Sequence, residues 1–175
     1  MRIISGKYKG KKLDGYFIDG TRPTMDRVKE SIYGIIQNYV KGAIVLDLFA
    51  GSGSLGLEAI SNGAERLVLI DNNKKAIDIL NNNVKSFDEQ IDVIATDYKK
   101  YLKTTSEKFD IIFLDPPYSA GLMNKALKII EDRNILTDGG IVICEFENIK
   151  IETNFILLRE KHYGSKTVCI YKNEK

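Results

Sequence analysis

From Ala43 onward the chain alternates between short unbroken apolar runs and longer stretches whose apolar residues recur at helical spacing. The runs AIVLDLF, RLVLID, IDVIAT, FDIIFLD and GIVICEF each read as a strand buried on both faces. Helices are predicted between them, through Leu57 to Ser61, from about Asn73 to Ser86, near Tyr98 to Lys103, and from Leu122 to Asp132. Five such strands joined by helices predict a parallel sheet covered on both faces, with right-handed crossovers. The tail differs, because NFILLREKHY and SKTVCIYK flank a turn at Gly164 and predict an antiparallel hairpin at the sheet edge.

Upstream of Ala43 the pattern is looser. Residues 2 to 13 alternate around a turn from Gly6 to Gly10 and predict a small hairpin, followed by a loop from Asp14 to Pro23. Thr24 is the expected cap of a helix running to about Val40, with Val28, Ile32, Ile35 and Ile36 as its apolar stripe and Asp26 and Glu30 in its early turns. The expected fold is α/β, a Rossmann-like, doubly wound, mostly parallel sheet with a C-terminal antiparallel hairpin. An N-terminal hairpin-and-helix extension over residues 1–40 precedes the main domain over 41–175.

The length of 175 residues suits a single core with appendages. No apolar run approaches the roughly 20 residues of a membrane span, and the N-terminus lacks the continuous apolar stretch of a secretory signal, so a cytoplasmic protein is expected. Cys144 and Cys169 fall in apolar runs without ligand spacing and are expected as buried free thiols. His162 is the only histidine, which argues against a His-based zinc site or a Ser-His-Asp triad, and no metal is expected. The net charge of +2 decides little about partners, but residues 1 to 12 hold Arg2, Lys7, Lys9, Lys11 and Lys12 without an acid. That segment suits a phosphate backbone, and it equally suits a solvated edge hairpin.

Candidate chemistry gathers at the predicted strand ends. Gly51, Gly53 and Gly56 match the G-x-G-x-x-G fingerprint where the first strand turns into a helix, and Asp71 ends the second strand 20 residues after Gly51, placed for ribose hydroxyls. The loop alone serves nicotinamide and adenosylmethionine cofactors alike. Asp47 separates them, since a carboxylate there repels a pyrophosphate and stabilises the ammonium and sulfonium of S-adenosylmethionine. The candidate cofactor residues are Asp47, Phe49, Ala50, Gly51, Gly53, Asp71, Asn72, Asp97 and Tyr98. For Asp97, with Thr96, an adenine contact and a helix N-cap are both open.

The most specific signal is Asp115-Pro116-Pro117-Tyr118 at the end of the fourth strand. An exocyclic base amine is a poor nucleophile because its lone pair is delocalised into the ring. Asp115 and the Pro116 carbonyl can each accept one amine hydrogen, two prolines stiffen the turn, and Tyr118 can stack on the base. A base inside a helix cannot reach such a pocket, so the substrate is unpaired or flipped out.

With these residues in place the chain resembles the class I methyltransferases, and more closely the RsmD-like family, which methylates the N2 amine of a guanine in 16S ribosomal RNA. The resemblance covers nearly the whole length, through MRIISGKYKGKKL, the segment from Thr21 to Glu30, LDLFAGSGSLGLEA, the DPPY turn and the closing hairpin around Tyr163-Gly164. It implies that Asp47, Gly51, Gly53, Asp71 and Asp97 hold S-adenosylmethionine and that residues 115–118 hold the base. Arg2, Lys7, Lys9, Lys11, Lys12, Arg22 and Arg27 would then face ribosomal RNA, and a monomer acting on a small-subunit particle is expected. Two alternatives stand beside it: an adenine-N6 methyltransferase acting on DNA or RNA, and a non-catalytic RNA-binding module.

Overall fold

The computed structural model describes residues 1–15, 22–117 and 120–174; the side chains of 22–25 and 120 lie outside that description. Seven strands form one sheet: β1 (Ile44–Asp47), β2 (Arg66–Asp71), β3 (Gln90–Ala95), β4 (Phe109–Leu114), β5 (Leu136–Phe146), β6 (Ile156–Tyr163) and β7 (Lys166–Lys172). Their spatial order is β3-β2-β1-β4-β5-β7-β6, with β1 to β5 mutually parallel and β7 antiparallel to both of its neighbours. The helices are α1 (Arg22–Val40), α2 (Ser54–Ser61), α3 (Lys74–Val84), α4 (Tyr98–Thr104) and α5 (Ala120–Asp132).

The apolar runs lack polar alternation because both faces of the central strands are covered. Along β4, Ile111 and Phe113 join a core with Ile32 and Ile36 of α1, Leu57 of α2 and Leu80 of α3, while Ile112 and Leu114 join one with Leu102 of α4 and Leu127 and Ile130 of α5. Each fully buried Leu or Ile contributes roughly 1.5–3 kcal/mol relative to exposure, so the two cores fix the register of the whole sheet. The chain winds outward from β1 to β2 and β3, then returns to place β4 on the other side of β1. Brought together there are the carboxyl ends of β1 and β4, the switch point where open α/β sheets take ligands.

The N-terminal segment differs in detail from its expected form. The hairpin reduces to a single bridge, Arg2 to Lys12, flanked by backbone bonds from Ile3 N–H to Lys11 and from Leu13 N–H to Met1. Helix α1 begins at Arg22, two residues before the expected Thr24 cap. Pro23 fits a first turn because its missing N–H has no intrahelical partner there. Asp26 consequently falls beyond the turn in which the helix dipole favours acids. Gly164 joins β6 to β7 as expected, and Cys144 and Cys169 are buried free thiols in register across β5 and β7.

One buried ion pair docks the hairpin. Glu58 of α2 accepts the N–H groups of Ile4 and Ser5, each at 3.0 Å, and lies 3.1 Å from Lys29 of α1. The Lys29 ammonium spends its other donors on Ser54 Oγ (2.9 Å) and the Arg2 carbonyl (2.8 Å). Both side chains are essentially buried. Lys29→Met therefore leaves Glu58 charged and unpaired, and should cost about 3–5 kcal/mol in urea unfolding. Among the described residues no helix is long and apolar enough to cross a membrane.

Candidate active site

The loop from β1 to α2 turns through Gly53, whose φ of 84° is one that residues with a Cβ rarely adopt. Three residues on, a Cβ at Gly56 would lie 2.8 Å from Leu67, so glycine there lets α2 press against β2. The loop's polar groups are largely used internally. Asp71, at the end of β2, accepts the Gly51 N–H through one carboxylate oxygen and the Asn73 N–H through the other, both at 2.9 Å. The Gly53 N–H bonds to the Ala50 carbonyl at 2.8 Å.

Asp47, the last residue of β1, sits under this loop and is 2% exposed. It accepts the Gly56 N–H at 3.3 Å and so occupies the positive end of α2. Burial, helped by the nearby charge of Asp71, pushes its carboxyl up to about 7 despite the N–H groups of Gly56 and Phe49 that oppose the shift. The neighbouring ammonium of Lys29 is committed to Glu58, Ser54 and Arg2. A buried acid whose neighbouring ammonium is already committed elsewhere favours a positively charged ligand. A pyrophosphate would meet that acid and find the Gly51 and Gly53 amides already bonded, so the loop does not suit a dinucleotide.

These groups open onto a cavity of about 590 Å³ at the carboxyl ends of β1 to β5, within the roughly 300–1,000 Å³ usual for small-molecule sites. Of the expected cofactor residues, Asp47, Phe49, Ala50, Gly51, Asp71, Asn72, Asp97 and Tyr98 line it, as do Asp115, Pro116 and Pro117. Gly53 does not line it and shapes the turn instead. The rings of Phe49 and Tyr98 lie 5.3 Å apart at 42° along the wall. Asp97 caps α4, its Oδ2 accepting the N–H groups of Lys99 and Lys100 at 3.0 and 3.2 Å. A cap uses only part of the carboxylate, so Asp97 also faces the cavity with acceptor capacity to spare.

At the end of β4, the strand beside β1, Asp115 follows Leu114 and lines the same cavity. Its carboxyl is held well above the usual range, first by burial and then by the adjacent Glu145, with Lys166 working the other way. Tyr118 lies outside the described residues, and so does the Arg22 side chain.

The family model described as conserved hypothetical protein 95 matches residues 1–172. The chain is 34% identical over 181 residues to ribosomal RNA small subunit methyltransferase D of Haemophilus influenzae, covering 99% of this chain and 94% of that one. The chain belongs to the RsmD-like family. YlbH of Bacillus subtilis is 36% identical over 98% of both chains. The solved structure of yhhF from Escherichia coli superposes with a TM-score of 0.90 at 32% identity, covering 99% of this chain and 98% of that one. Solved methyltransferases of lower identity share the fold, so the doubly wound sheet is that of the class I methyltransferases.

In this RsmD-like chain the basic residues of the hairpin do not form one uniform patch. Its base adjoins the glycine loop, where Met1 Sδ accepts the Ser52 hydroxyl at 3.1 Å and Asn83 bridges Asp14 to Ser52. Its tip bonds to the far end of α2, Lys7 N–H to the Ser61 carbonyl, about 12 Å along an eight-residue helix. Lys7 is drawn to Glu89 at 3.2 Å, and Lys11 lies over the Tyr8 and Phe87 rings. Arg2, Lys9, Lys12 and Arg27 are exposed. Two cavity residues, Glu145 and Lys166, went unrecognised in the sequence. Glu145 carries the same signal as Asp47, Asp71 and Asp115, an acid closing an apolar parallel strand, and could have been found by it. Lys166 could not, since only the hairpin's return beside β5 brings it to the cavity.

Proposed function

We propose that this chain is an S-adenosylmethionine-dependent methyltransferase that modifies the exocyclic N2 amine of a guanine in 16S ribosomal RNA of the small subunit. The observation that carries the reading is that buried Asp47 and the Asp115-Pro116-Pro117 turn, at the ends of the neighbouring strands β1 and β4, line one cavity. The relative from Haemophilus influenzae, named a ribosomal RNA small subunit methyltransferase, supports the choice of substrate.

When bound, S-adenosylmethionine supplies an electrophilic methyl on a sulfonium that departs as a neutral thioether. Asp47 would receive the donor's ammonium, which compensates a charge that burial otherwise disfavours. Asp71 would take the ribose hydroxyls on lone pairs not used by Gly51 and Asn73, and Phe49, Tyr98, Thr96 and Asp97 would hold the adenine. Asp115 accepts one N2 hydrogen and the Pro116 carbonyl the other, which turns the nitrogen lone pair out of the ring plane. As the N–C bond forms, N2 must shed one proton, and Asp115 is the base placed to receive it.

Incubating the protein with methyl-labelled S-adenosylmethionine and under-methylated small subunits should give N2-methylguanine by nucleoside mass spectrometry. Label in N6-methyladenine, or in no base of any RNA form tried, would defeat the proposal. RNA contact by the exposed hairpin cations makes a separate prediction. Replacing Arg2, Lys9 and Lys12 with Gln should flatten the slope of log affinity against log salt by about 2, from roughly 0.7 per lost phosphate contact on single strands. A slope that stays put would remove the hairpin from the RNA surface.

A further inference from the structure

Resting on the guanine-N2 reading above, we infer that Glu145 and Lys166 complete a base-reading edge with Asp115, so that Glu145 accepts the guanine N1–H and Lys166 donates to O6. The geometry comes from strand register. Leu114 of β4 pairs with Cys144 of β5, so one step further along both parallel strands Asp115 and Glu145 stand side by side. Glu145 lies close enough to raise the Asp115 carboxyl. On the far side of Glu145, Lys166 at the start of β7 places its ammonium 3.2 Å from Oε1. The three groups line the same cavity and follow one another as acceptor, acceptor and cationic donor.

The Watson–Crick edge of guanine presents the complement in the same order, with two hydrogens on N2, one on N1 and a carbonyl at O6. Adenine held by its N6 amine on Asp115 would turn the N1 lone pair toward the Glu145 carboxylate and leave that acid without a hydrogen. The Asp-Pro-Pro turn grips either amine and does not choose between the bases; the Glu145–Lys166 pair does. Fold stability gives no reason for the arrangement, since a second carboxyl in a half-dry site disfavours ionisation of Asp115 and an apolar pair would tie β5 to β7 as well. Glu145 is 8% exposed and Lys166 is half-buried, so both act on a base inside the cavity, not on RNA outside it.

The test uses the full chain, first mapping the methylated guanine with wild type and then assembling particles around ligated RNA carrying guanine or 2-aminopurine at that position. 2-Aminopurine keeps the N2 amine but lacks both N1–H and O6. Wild type should prefer guanine by at least about 100-fold in kcat/KM, as sites built to hydrogen-bond a group reject analogues that lack it. In Glu145→Gln the amide can donate to the bare N1, so the preference should narrow by about tenfold or more. The acidic limb of the pH–rate profile should move to lower pH as the charge beside Asp115 is removed, and Lys166→Met should narrow the same ratio. Calorimetric binding of S-adenosylmethionine unchanged in both variants shows that the cavity is intact. A base ratio unaltered in both variants overturns the inference and leaves the guanine-N2 reading standing. Absence of N2-methylguanine from wild type overturns that reading and, with it, this inference.

Discussion

Asp115→Ala should lower methyl transfer by at least about 1,000-fold while RNA and S-adenosylmethionine binding stay within about threefold, since the lost group both aims the amine and takes its proton. Single-turnover transfer and separate binding titrations measure the two effects. Asp115→Asn keeps an acceptor for the amine hydrogen but cannot take the proton, and should fall between wild type and Asp115→Ala. The wild-type rate should rise with pH beyond the ordinary carboxylate range, because burial and Glu145 hold the Asp115 carboxyl up and its ionised form is the one that receives the proton. Equal losses of turnover and RNA affinity in Asp115→Ala would point to a binding role.

Asp47→Asn should separate stability from function in the opposite sense. The Asp47 carboxyl titrates at about 7 in the folded protein against an ordinary 3.8, so it favours the folded state fully below about pH 4 and loses that contribution as pH rises to about 7. Above pH 7 the ligand-free fold carries a buried, uncompensated carboxylate that Asn removes. Asp47→Asn should therefore be more stable than wild type at pH 8, on the order of 4 kcal/mol from about three pH units, with the gap closing toward pH 4. The same substitution should weaken S-adenosylmethionine binding by about 30-fold or more, as expected for loss of a charged partner to an ammonium. Urea unfolding at several pH values and calorimetry check the two arms. A variant that is destabilised at pH 8, or that binds the donor as well as wild type does, would remove Asp47 from the site.

Much of this architecture was legible because the central strands are buried on both faces and so read as unbroken apolar runs. The strand-end acids Asp47, Asp71 and Asp115 were legible for the same reason, since each interrupts such a run where the sheet meets the cavity. What escaped depended on distant contacts. Nothing local marks Glu58 as the anchor of the hairpin, because its partners Ile4, Ser5 and Lys29 are 54, 53 and 29 residues away in the chain. The start of α1 was displaced by a plausible cap at Thr24, while the actual first turn admits Pro23. The even distribution of lysines in the hairpin hid a division of labour, with exposed Lys7 paired to Glu89 and Lys9 and Lys12 exposed as well. Of the two readings of Asp97 the structure shows the cap of α4, and it also places the residue at the cavity wall.

If one cavity at the β1–β4 switch point brings the methyl donor to the Asp115 turn, a crystal structure of the chain grown with S-adenosylmethionine should show the donor's ammonium on the Asp47 carboxylate and its methyl group directed at Asp115. A donor bound elsewhere, or in the cavity with Asp47 turned away from it, would refute that placement.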